Sequence, residues 1–470
     1  MHKRRANKRA STRQARAIGM ALSPARSMIF HDPLTGLPNR GLIQDRLTLA
    51  LAASAGSGLL GALFWINIKN FRALNISEGH ETGDQILMQL SARLCSVARD
   101  SDMVARLWGD EFLILLEALG SNAAEATHNA RLMGERLRNA MLTPMDLHTY
   151  HYACSLRIGV SLFQAPDKVA DVFRRAALAL QETATQEADS LCFFDPLMQS
   201  QHEQRNTLLA ELTKAVLWQQ FCIYYQPQVD YREQVVGVEA LIRWQHPLHG
   251  LVPPNTFIPL AEEADLILPI GLWVLRTACV QLKLWEQKPL CSQLQVSVNV
   301  SVRQFQQPAF VAQVQAALLD SGAKPELLKL ELTESLMLEN LDDVVGKMQQ
   351  IRRLGVRFSL DDFGTGYSSL AHLANLPIDQ LKIDRSFVHN IPGKSSDEII
   401  TRTIIAMGRG LGMEVIAEGV ETEAQHAFLA NNGCNVYQGY LFGRPVSPDV
   451  LEALLLQAQR QLALAPSAQE

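Results

Sequence analysis

Acidic and amide side chains recur in the second half of the chain, each close to the end of a short apolar segment. They are Glu239, Asn299, Glu331, Asp361, Asp362, Asp384, Glu418 and Gln438, with Lys382 among them. Carboxylate and amide oxygens without a thiolate suit Mg²⁺ or Mn²⁺ rather than zinc. Two such ions, about 3.5–4 Å apart, would activate a water molecule and neutralise an in-line displacement at phosphorus. Lys382 would orient that water and soften the charge on the phosphate, so the pattern predicts metal-assisted hydrolysis of a phosphate ester.

The same region of the sequence also predicts the strands and helices that position these residues. From about residue 207 onward, short apolar segments alternate with stretches of helical periodicity. The candidate strands are Cys222–Val229, Val235–Ile242, Leu294–Val300, Leu328–Leu332, Val356–Leu360, Gln380–Ile383, Glu414–Ala417 and Asn435–Gln438. This alternation predicts a TIM-like (β/α)₈ barrel. Because the carboxyl ends of barrel strands converge on one rim, we expect the polar residues to face one another there.

Any one of these acids has a simpler explanation. An acid at a strand end is more often a cap of the following helix or a surface charge. Caps do not account for successive strands that all end in metal-ligand chemistry. Burying so many carboxylates at one rim is unfavourable unless cations neutralise them, which favours a shared metal site.

The first half of the chain predicts a separate α/β unit between about 30 and 195. Its candidate elements are a strand at Leu59–Ile68, a helix at Gly83–Val97, a hairpin around Trp108–Leu116, a strand at Cys154–Leu162 and a helix at Val169–Thr183. A polar, Gln-rich stretch follows and predicts a linker. We expect a basic tail over 1–29, a first domain over 30–197, a linker over 198–206, the barrel domain over 207–462 and a tail over 463–470.

Composition narrows the class of protein. Of 470 residues, 47% are hydrophobic and 19% charged, and the net charge is −5, as in an ordinary globular protein. The seven cysteines are scattered without a CxxC pair, which favours a reducing compartment and argues against disulfides or thiolate zinc sites. No run approaches about 18 apolar residues, so we expect no membrane span. The basic tail predicts a solvated, disordered start; weak contact with an anionic membrane or acidic surface is the alternative, and no specific nucleic-acid partner is expected.

The barrel residues resemble the EAL phosphodiesterase family over about 207–460. The motifs, in the family's order, are Glu239-Ala240-Leu241 with Arg243-Trp244, Asn299-Val300-Ser301, Glu331-Leu332-Thr333-Glu334, Asp361-Asp362-Phe363-Gly364-Thr365-Gly366, Lys382-Ile383-Asp384, Glu418-Gly419-Val420-Glu421 and Gln438-Gly439-Tyr440. The resemblance implies a bacterial, cytoplasmic enzyme that hydrolyses cyclic di-GMP to linear pGpG. It also implies a homodimer formed through this domain.

By the same resemblance, the site residues divide by role. Two Mg²⁺ or Mn²⁺ ions would be held by Glu239, Asn299, Glu331, Asp361, Asp362 and Glu418. Asp361 would bridge the two ions, and Lys382 would contact the attacking water. Substrate would be held by Gln226, Leu241, Arg243, Asp384, Glu421 and Gln438. Dimerisation would be coupled to the metal site by Glu334 and the loop of Gly364, Thr365 and Gly366.

The first domain resembles the GGDEF diguanylate cyclase family, which implies a cyclase-like α/β sandwich. The residues that carry the resemblance are the entry Asp32 to Arg40, Gly79-His80-Glu81-Thr82-Gly83-Asp84 and Trp108-Gly109-Asp110-Glu111-Phe112. The family has metal-binding acids where this chain has Asn67 and Lys69, and a phosphate-facing glycine where it has Trp108. Its triphosphate-gripping cations fall on Ala184 and Ala188. Because these replacements remove metal and phosphate contacts, we expect the domain to be catalytically inactive and regulatory.

Parts of that signature survive, and they leave other functions open. Asn75 and Asp84 match guanine-reading positions, and Arg99 with Asp102 matches the RxxD site at which cyclic di-GMP inhibits cyclases. Arg99 and Asp102 could instead be an ordinary i,i+3 surface pair. Alternatives to the phosphodiesterase are a non-catalytic cyclic di-GMP receptor acting through protein partners and a bifunctional cyclase/phosphodiesterase.

Overall fold

The structure is a computed structural model that describes residues 30–147, 150–183, 190–334, 336, 341–364, 373 and 376–464. The basic tail, Ala184, Ala188, Thr365, Gly366 and the residues after 464 lie outside this description, so the predictions made for them stay predictions. The chain divides into two compact units, Met1–Arg205 and Asn206–Glu470, and each is described by itself.

The first unit is an α/β sandwich. Its helices are α1 (Arg40–Ser57), α2 (Phe71–Glu78), α3 (His80–Val97), α4 (Ala123–Met141) and α5 (Val169–Glu182). Its strands are β1 (Leu60–Ile68), β2 (Met103–Arg106), β3 (Glu111–Gly120), β4 (Met145–Leu147), β5 (Tyr150–Tyr152), β6 (Leu156–Phe163) and β7 (Leu191–Phe193). The main sheet has the order β2-β3-β1-β6-β7; β6 and β7 pair in parallel and the other neighbours pair antiparallel.

The central strand β1 shows why this sheet is covered on both faces. Alternate residues of a strand point to opposite faces, and nearly every residue of β1 is buried. Phe64 and Ile66 belong to the core formed with α3 and α4, whereas Leu63 and Trp65 belong to the core formed with α1 and α5. The continuous apolar run of β1 therefore reflects burial on both sides.

The stretch that the composition assigned to a linker is helical. Residues 198–206 lie inside helix α6 (Pro196–Leu217), and the boundary between the two units, after Arg205, falls within this helix. Leu212 and Ala215, in its second half, are fully buried in the barrel core. The first half of α6 is polar and exposed, and only its second half packs into the barrel core. This explains why composition alone predicted a linker.

The second unit is an eight-stranded barrel with one additional edge strand. Its strands are β8 (Phe221–Asp230), β9 (Val235–His246), β10 (Gly250–Val252), β11 (Gln295–Val300), β12 (Leu328–Thr333), β13 (Arg357–Phe363), β14 (Gln380–Ile383), β15 (Glu414–Ala417) and β16 (Val436–Gln438). Its helices are α7 (Pro254–Glu263), α8 (Ile267–Glu286), α9 (Val302–Gln306), α10 (Phe310–Ser321), α11 (Leu341–Arg353), α12 (Arg385–His389), α13 (Ser395–Gly410), α14 (Glu423–Asn431) and α15 (Pro448–Leu464). The predicted (β/α)₈ class is confirmed.

The barrel departs from eight parallel strands at its first strand. β8 pairs antiparallel with both β9 and β16 and so closes the barrel, whereas the remaining barrel neighbours pair in parallel. A short turn joins β8 to β9, and such a hairpin connection requires antiparallel strands. β9 continues beyond the barrel to His246, so Glu239 lies in the first half of its strand and not near the end, as the sequence had suggested.

Alternation along the strands makes the barrel interior polar. In β12, the apolar residues Leu328, Leu330 and Leu332 pack into the core shared with the surrounding helices. Lys329 and Glu331, which alternate with them, are buried on the opposite face. Charged side chains are rarely buried without partners, so buried Lys329 and Glu331 indicate a functional site in the interior of the barrel.

Helix α8 is long and apolar enough to cross a membrane by length and composition, with a mean hydropathy of 1.4. It also belongs to the barrel, because Ile270, Val274, Leu275 and Leu282 are buried in the barrel core. The core helix of a folded domain meets the same criterion, so α8 is weak support for a membrane span.

Candidate active site

A single buried lysine lies among the acids of the barrel strands. The Nζ atom of Lys382, on β14, lies 2.5 Å from Glu418 Oε1, 2.6 Å from Glu331 Oε2 and 3.1 Å from Asp361 Oδ1. Glu239 Oε1 is 4.0 Å away. The Lys382 side chain is 1% exposed and the Glu331 side chain is fully buried. Four of the acids that the sequence singled out therefore lie around one ammonium group.

The electrostatics of this cluster favour a further cation. Burial alone would lower the pKa of Lys382, but the surrounding carboxylates outweigh burial and hold this pKa well above its usual value. Burial raises the pKa of Glu331 to about 7 and raises the pKa of Glu418 well above normal, although Lys382 opposes both shifts. The neighbouring carboxylates add to the effect of burial on Glu331 and Glu418, so gaining a proton or a cation is favourable for the cluster.

A layer of amides holds Glu239. Asn299 Nδ2 donates to Glu239 Oε1 at 2.6 Å, and Gln438 Nε2 donates to Glu239 Oε2 at 2.5 Å. Gln438 also donates to Gln226 Oε1 at 3.2 Å and accepts from Gln228 Nε2 at 2.9 Å. Gln228 was not predicted from the sequence, although its spacing from Gln226 on β8 places both side chains on the interior face.

The paired aspartates lie at an irregularity in β13. The pairing of β13 with β14 shifts between Leu360 and Phe363, and Asp362 adopts a left-handed φ of 54°. A residue other than glycine in this conformation stores strain, and such strain clusters at functional sites. Asp362 N donates to Asp361 Oδ1 at 3.0 Å. Burial raises the pKa of Asp362 to about 6, and the nearby charges of Asp361 and Asp384 add to the shift.

The donor set of the cluster fits divalent metal ions. Glu331 Oε1 is buried and has no hydrogen-bond partner among the residues that the structure describes. A buried carboxylate oxygen without a partner is costly, and a cation would satisfy it. Several carboxylates and one amide oxygen, with no thiolate, are ligands that Mg²⁺ and Mn²⁺ accept. Glu239, Asn299, Glu331, Asp361, Asp362 and Glu418 are the residues that would hold such ions.

Beyond the barrel, β8 and β9 continue the interior face outward. Their cross-strand pairs, from the cluster outward, are Gln226–Glu239, Tyr224–Leu241 and Cys222–Arg243. The Arg243 guanidinium lies 5.8 Å from the centroid of the Tyr224 ring. This ladder puts Gln226, Leu241 and Arg243 on one wall beside the acids.

Asp384 and Glu421 lie on neighbouring loops of the same rim. Asp384 caps α12, because its Oδ1 atom accepts from Ser386 N at 3.0 Å. Arg385 forms an ion pair with Glu421 at 2.9 Å. Both acids therefore have structural partners in addition to the substrate role that the family resemblance implies.

The predicted coupling segment is described only in part. Gly364 N donates to Glu334 Oε2 at 3.3 Å, which joins the loop after β12 to the loop after β13. Glu334 is buried. Thr365 and Gly366 fall outside the described residues, so the rest of this loop stays a prediction.

The first unit has an amide bridge at the position of the cyclase metal acid. Asn67 Nδ2 donates to Asp110 Oδ2 at 2.8 Å, and Asn67 is the cross-strand partner of Glu111. Burial raises the pKa of both Asp110 and Glu111. Trp108 is 51% exposed at the hairpin turn, and the Arg40 guanidinium lies 5.0 Å from the centroid of its ring. The bulky ring thus occupies the turn where the family has a phosphate-facing glycine. Lys69, at the other position where the family has a metal-binding acid, is half-buried.

The RxxD residues form a turn. Arg99 N donates to the carboxylate of Asp102 at 2.8 Å, and Asp102 N donates back to Arg99 O at 2.9 Å. Arg99, Asn129 and Arg136 line one depression with Asp102. The carboxylate is thus used to hold the backbone of Arg99, an arrangement different from the i,i+3 side-chain pair considered as an alternative.

A second cluster of possible metal ligands lies elsewhere, at Glu211, His246 and His249. His246 Nδ1 accepts from the backbone amides of Leu248 at 3.1 Å and His249 at 3.2 Å. The other ring nitrogen, Nε2, lies 3.2 Å from Glu211 Oε2 and must carry the proton of the neutral ring. Since both nitrogens are used, His246 anchors α6 to the β9–β10 turn and is not positioned as a metal ligand.

Comparison with protein families divides the chain into the same two regions. The diguanylate cyclase GGDEF domain matches residues 29–190, and the EAL domain matches residues 209–445. MucR of Pseudomonas aeruginosa, named a bifunctional diguanylate cyclase/cyclic di-GMP phosphodiesterase, is 37% identical over 448 residues, or 94% of this chain and 64% of MucR. NbdA of the same organism, named a cyclic di-GMP phosphodiesterase, is 37% identical and covers 92% of this chain and 54% of NbdA. The chain thus spans between about half and two thirds of these relatives' lengths.

Solved structures show the same two folds. The PaMucR phosphodiesterase, in a complex with cyclic di-GMP, aligns with a TM-score of 0.51 at 44% identity and covers 52% of this chain and 99% of that one. The S helix-GGDEF-EAL portion of Vibrio cholerae LapD, bound to cyclic di-GMP, aligns with a TM-score of 0.56 and covers 92% of this chain and 99% of that one. At 19% identity, the second match shows likeness of fold alone.

Proposed function

This chain belongs to the EAL family and carries a GGDEF domain in front of its EAL domain, and from this premise we propose that it hydrolyses cyclic di-GMP to linear pGpG. The observation that carries the proposal is the carboxylate cluster around Lys382, in which buried Glu331 retains an unpartnered oxygen among the described residues. Relatives named as cyclic di-GMP phosphodiesterases support the choice of substrate.

The reaction depends on offsetting the charge of the site. Carboxylates this close together repel a phosphodiester, so the apo cluster is poorly suited to bind one. Divalent ions, when bound, supply the activation of a water molecule and the neutralisation of charge on the phosphate. The oxygens of Glu239, Glu331, Asp361 and Glu418 converge where such ions would be held, and Asp362 and Asn299 flank them.

The side chains of the protein then bind the substrate and orient it. Lys382 stays protonated in this environment and can donate a hydrogen bond to a water molecule or to a phosphate oxygen. Asn299 and Gln438 fix the orientation of Glu239, and Gln226 holds Gln438 by accepting a hydrogen bond from its amide. Arg243, farther out on β9, supplies a guanidinium suited to phosphate or guanine.

We propose a regulatory role for the GGDEF domain in place of cyclase activity. Asn67 bridges to Asp110 through a neutral amide, and Trp108 fills the hairpin turn. Arg99 remains exposed beside Arg136, and a cyclic dinucleotide that binds there is the proposed ligand of this domain. The bond between Glu334 and Gly364 is where dimerisation through the EAL domain would reach the metal site.

Turnover of cyclic di-GMP tests the proposal directly. The purified chain is incubated with cyclic di-GMP and Mg²⁺ or Mn²⁺, and pGpG is quantified by chromatography. We expect Glu239→Gln to abolish product formation, while Glu211→Gln, which changes an acid outside the cluster, should retain it. The absence of pGpG with both metals in the wild-type protein would refute the proposal.

A further inference from the structure

The segment that follows β16 carries an aromatic ring and a cation that have no role in the chemistry above. The Arg444 guanidinium lies 4.1 Å from the centroid of the Tyr440 ring, so it covers one face of that ring. Tyr440 nevertheless keeps 46% of its surface exposed, and Arg444 is exposed as well. A flat, accessible ring backed by a guanidinium is a stacking surface.

This segment is held in place at both ends. Leu441 N donates to Val420 O at 3.1 Å, next to the start of the segment. At its far end, Val446 and Tyr225 exchange backbone hydrogen bonds of 3.0 and 2.7 Å. A ring carried on a tethered segment loses little conformational entropy when a ligand stacks on it.

The segment also contacts the site itself. Gln226 Nε2 donates to Gly443 O at 3.1 Å, and Gln226 is the cross-strand partner of Glu239. Arg243 interacts electrostatically with both Tyr440 and Glu239. Tyr440 therefore lies on the substrate side of the barrel mouth, within reach of a ligand whose phosphate is at the acids.

We propose that Tyr440 and Arg444 form a base-stacking subsite for one purine of the substrate. The inference rests on the proposed function and identifies which residues select a purine-bearing phosphodiester. Aromatic side chains stack on bases because every base has a π-face. Arg444 covers one face of the ring and leaves the other face free for the base.

Binding and turnover of Tyr440→Ala test the subsite. Loss of one stacked base should raise the KM, and the Kd measured by calorimetry with Ca²⁺ in place of Mg²⁺, by about 5- to 150-fold. The kcat should stay within about threefold of wild type, because the ring contacts the base and not the reacting phosphate. Tyr440→Phe keeps the ring and should restore wild-type values.

The chain offers a matched control. Tyr231, at the β8–β9 turn, is 58% exposed, and the Arg232 guanidinium lies 5.1 Å from its ring. Tyr231→Ala removes the same kind of pair from the opposite end of the hairpin and should leave the KM and Kd unchanged. An equal loss in both alanine variants would overturn the proposal.

A substrate without a purine separates stacking from structural damage. Bis(p-nitrophenyl) phosphate is a phosphodiester without a base, and Tyr440→Ala should hydrolyse it at the wild-type rate. Loss of this activity in the variant, or an unchanged KM and Kd for cyclic di-GMP, contradicts the subsite. If wild type binds cyclic di-GMP without hydrolysing either substrate, the proposed function fails, while the Kd of Tyr440→Ala still decides the subsite.

Discussion

Replacing Lys382 by methionine should destabilise the metal-free barrel strongly. The ammonium is 1% exposed and lies within 3.1 Å of three carboxylates. Methionine has a similar length but no charge, so these acids would remain buried and would repel one another. Removing one partner of a buried ion pair typically costs about 3–5 kcal/mol, because the other charge is left uncompensated.

A loss of this size is easily measured. For a domain of this size it corresponds to a fall of about 6–20 °C in Tm. Thermal unfolding in EDTA, followed by circular dichroism, would compare the variant with wild type. Added Mg²⁺ should stabilise the variant, because binding to the folded state alone raises stability by mass action.

The destabilisation should also depend on pH. Burial raises the pKa of Glu331 to about 7 in the folded protein, compared with about 4.3 in an unfolded chain. Between these values the folded state binds more protons than the unfolded state, so the stability of the metal-free protein falls as pH rises. Without Lys382 the folded-state pKa rises further, and the variant should lose most at pH 8 and least near pH 5.

Lys329→Met is the matched control for this experiment. Lys329 is equally deep in the barrel, but its ion-pair partner, Glu414, is half exposed at 3.9 Å. Water can solvate Glu414 when the lysine is removed, so we expect a change of at most about 1 kcal/mol. If Lys382→Met in EDTA at pH 8 is as stable as wild type, the acids are not held together by Lys382 and the electrostatic reasoning is wrong.

Three further predictions address catalysis, packing and the GGDEF domain. A Glu239→Ala variant supplied with GTP should accumulate no cyclic di-GMP by mass spectrometry; accumulation would establish a working cyclase. Gly439→Ala should lower the free energy of unfolding by about 1–3 kcal/mol in urea, because the added Cβ would lie 2.1 Å from Val420 O. Gly346→Ala is the control and should leave the free energy of unfolding unchanged, because its Cβ would have no heavy atom within 4 Å. Arg99→Ala in a Glu239→Gln protein, which is expected not to hydrolyse the ligand, should lower the number of cyclic di-GMP molecules bound in calorimetry; an unchanged number would exclude ligand binding at the RxxD turn.

The sequence determined the class of fold, and it identified the acids that the structure places around Lys382, because both depend on local pattern. Period-two alternation in segments such as Leu328–Thr333 marks strands whose polar face must point inward. The chemistry of a carboxylate or an amide depends on the residue type. The sequence therefore indicates it before the spatial neighbours are known. Helices α1, α2 and α4 of the first unit were not predicted from the sequence.

Tertiary structure decided how those residues meet. The direction of β8, the outward extension of β9 and the helix through 198–206 result from barrel closure and from burial of Leu212 and Ala215, which involve contacts distant in sequence. The same closure places one lysine among several acids and leaves Glu331 Oε1 without a partner among the described residues. It also ties the segment that carries Tyr440 and Arg444 to β8, through the backbone hydrogen bonds between Val446 and Tyr225. Register and strand direction set these distances, and they are fixed only when the whole sheet has closed.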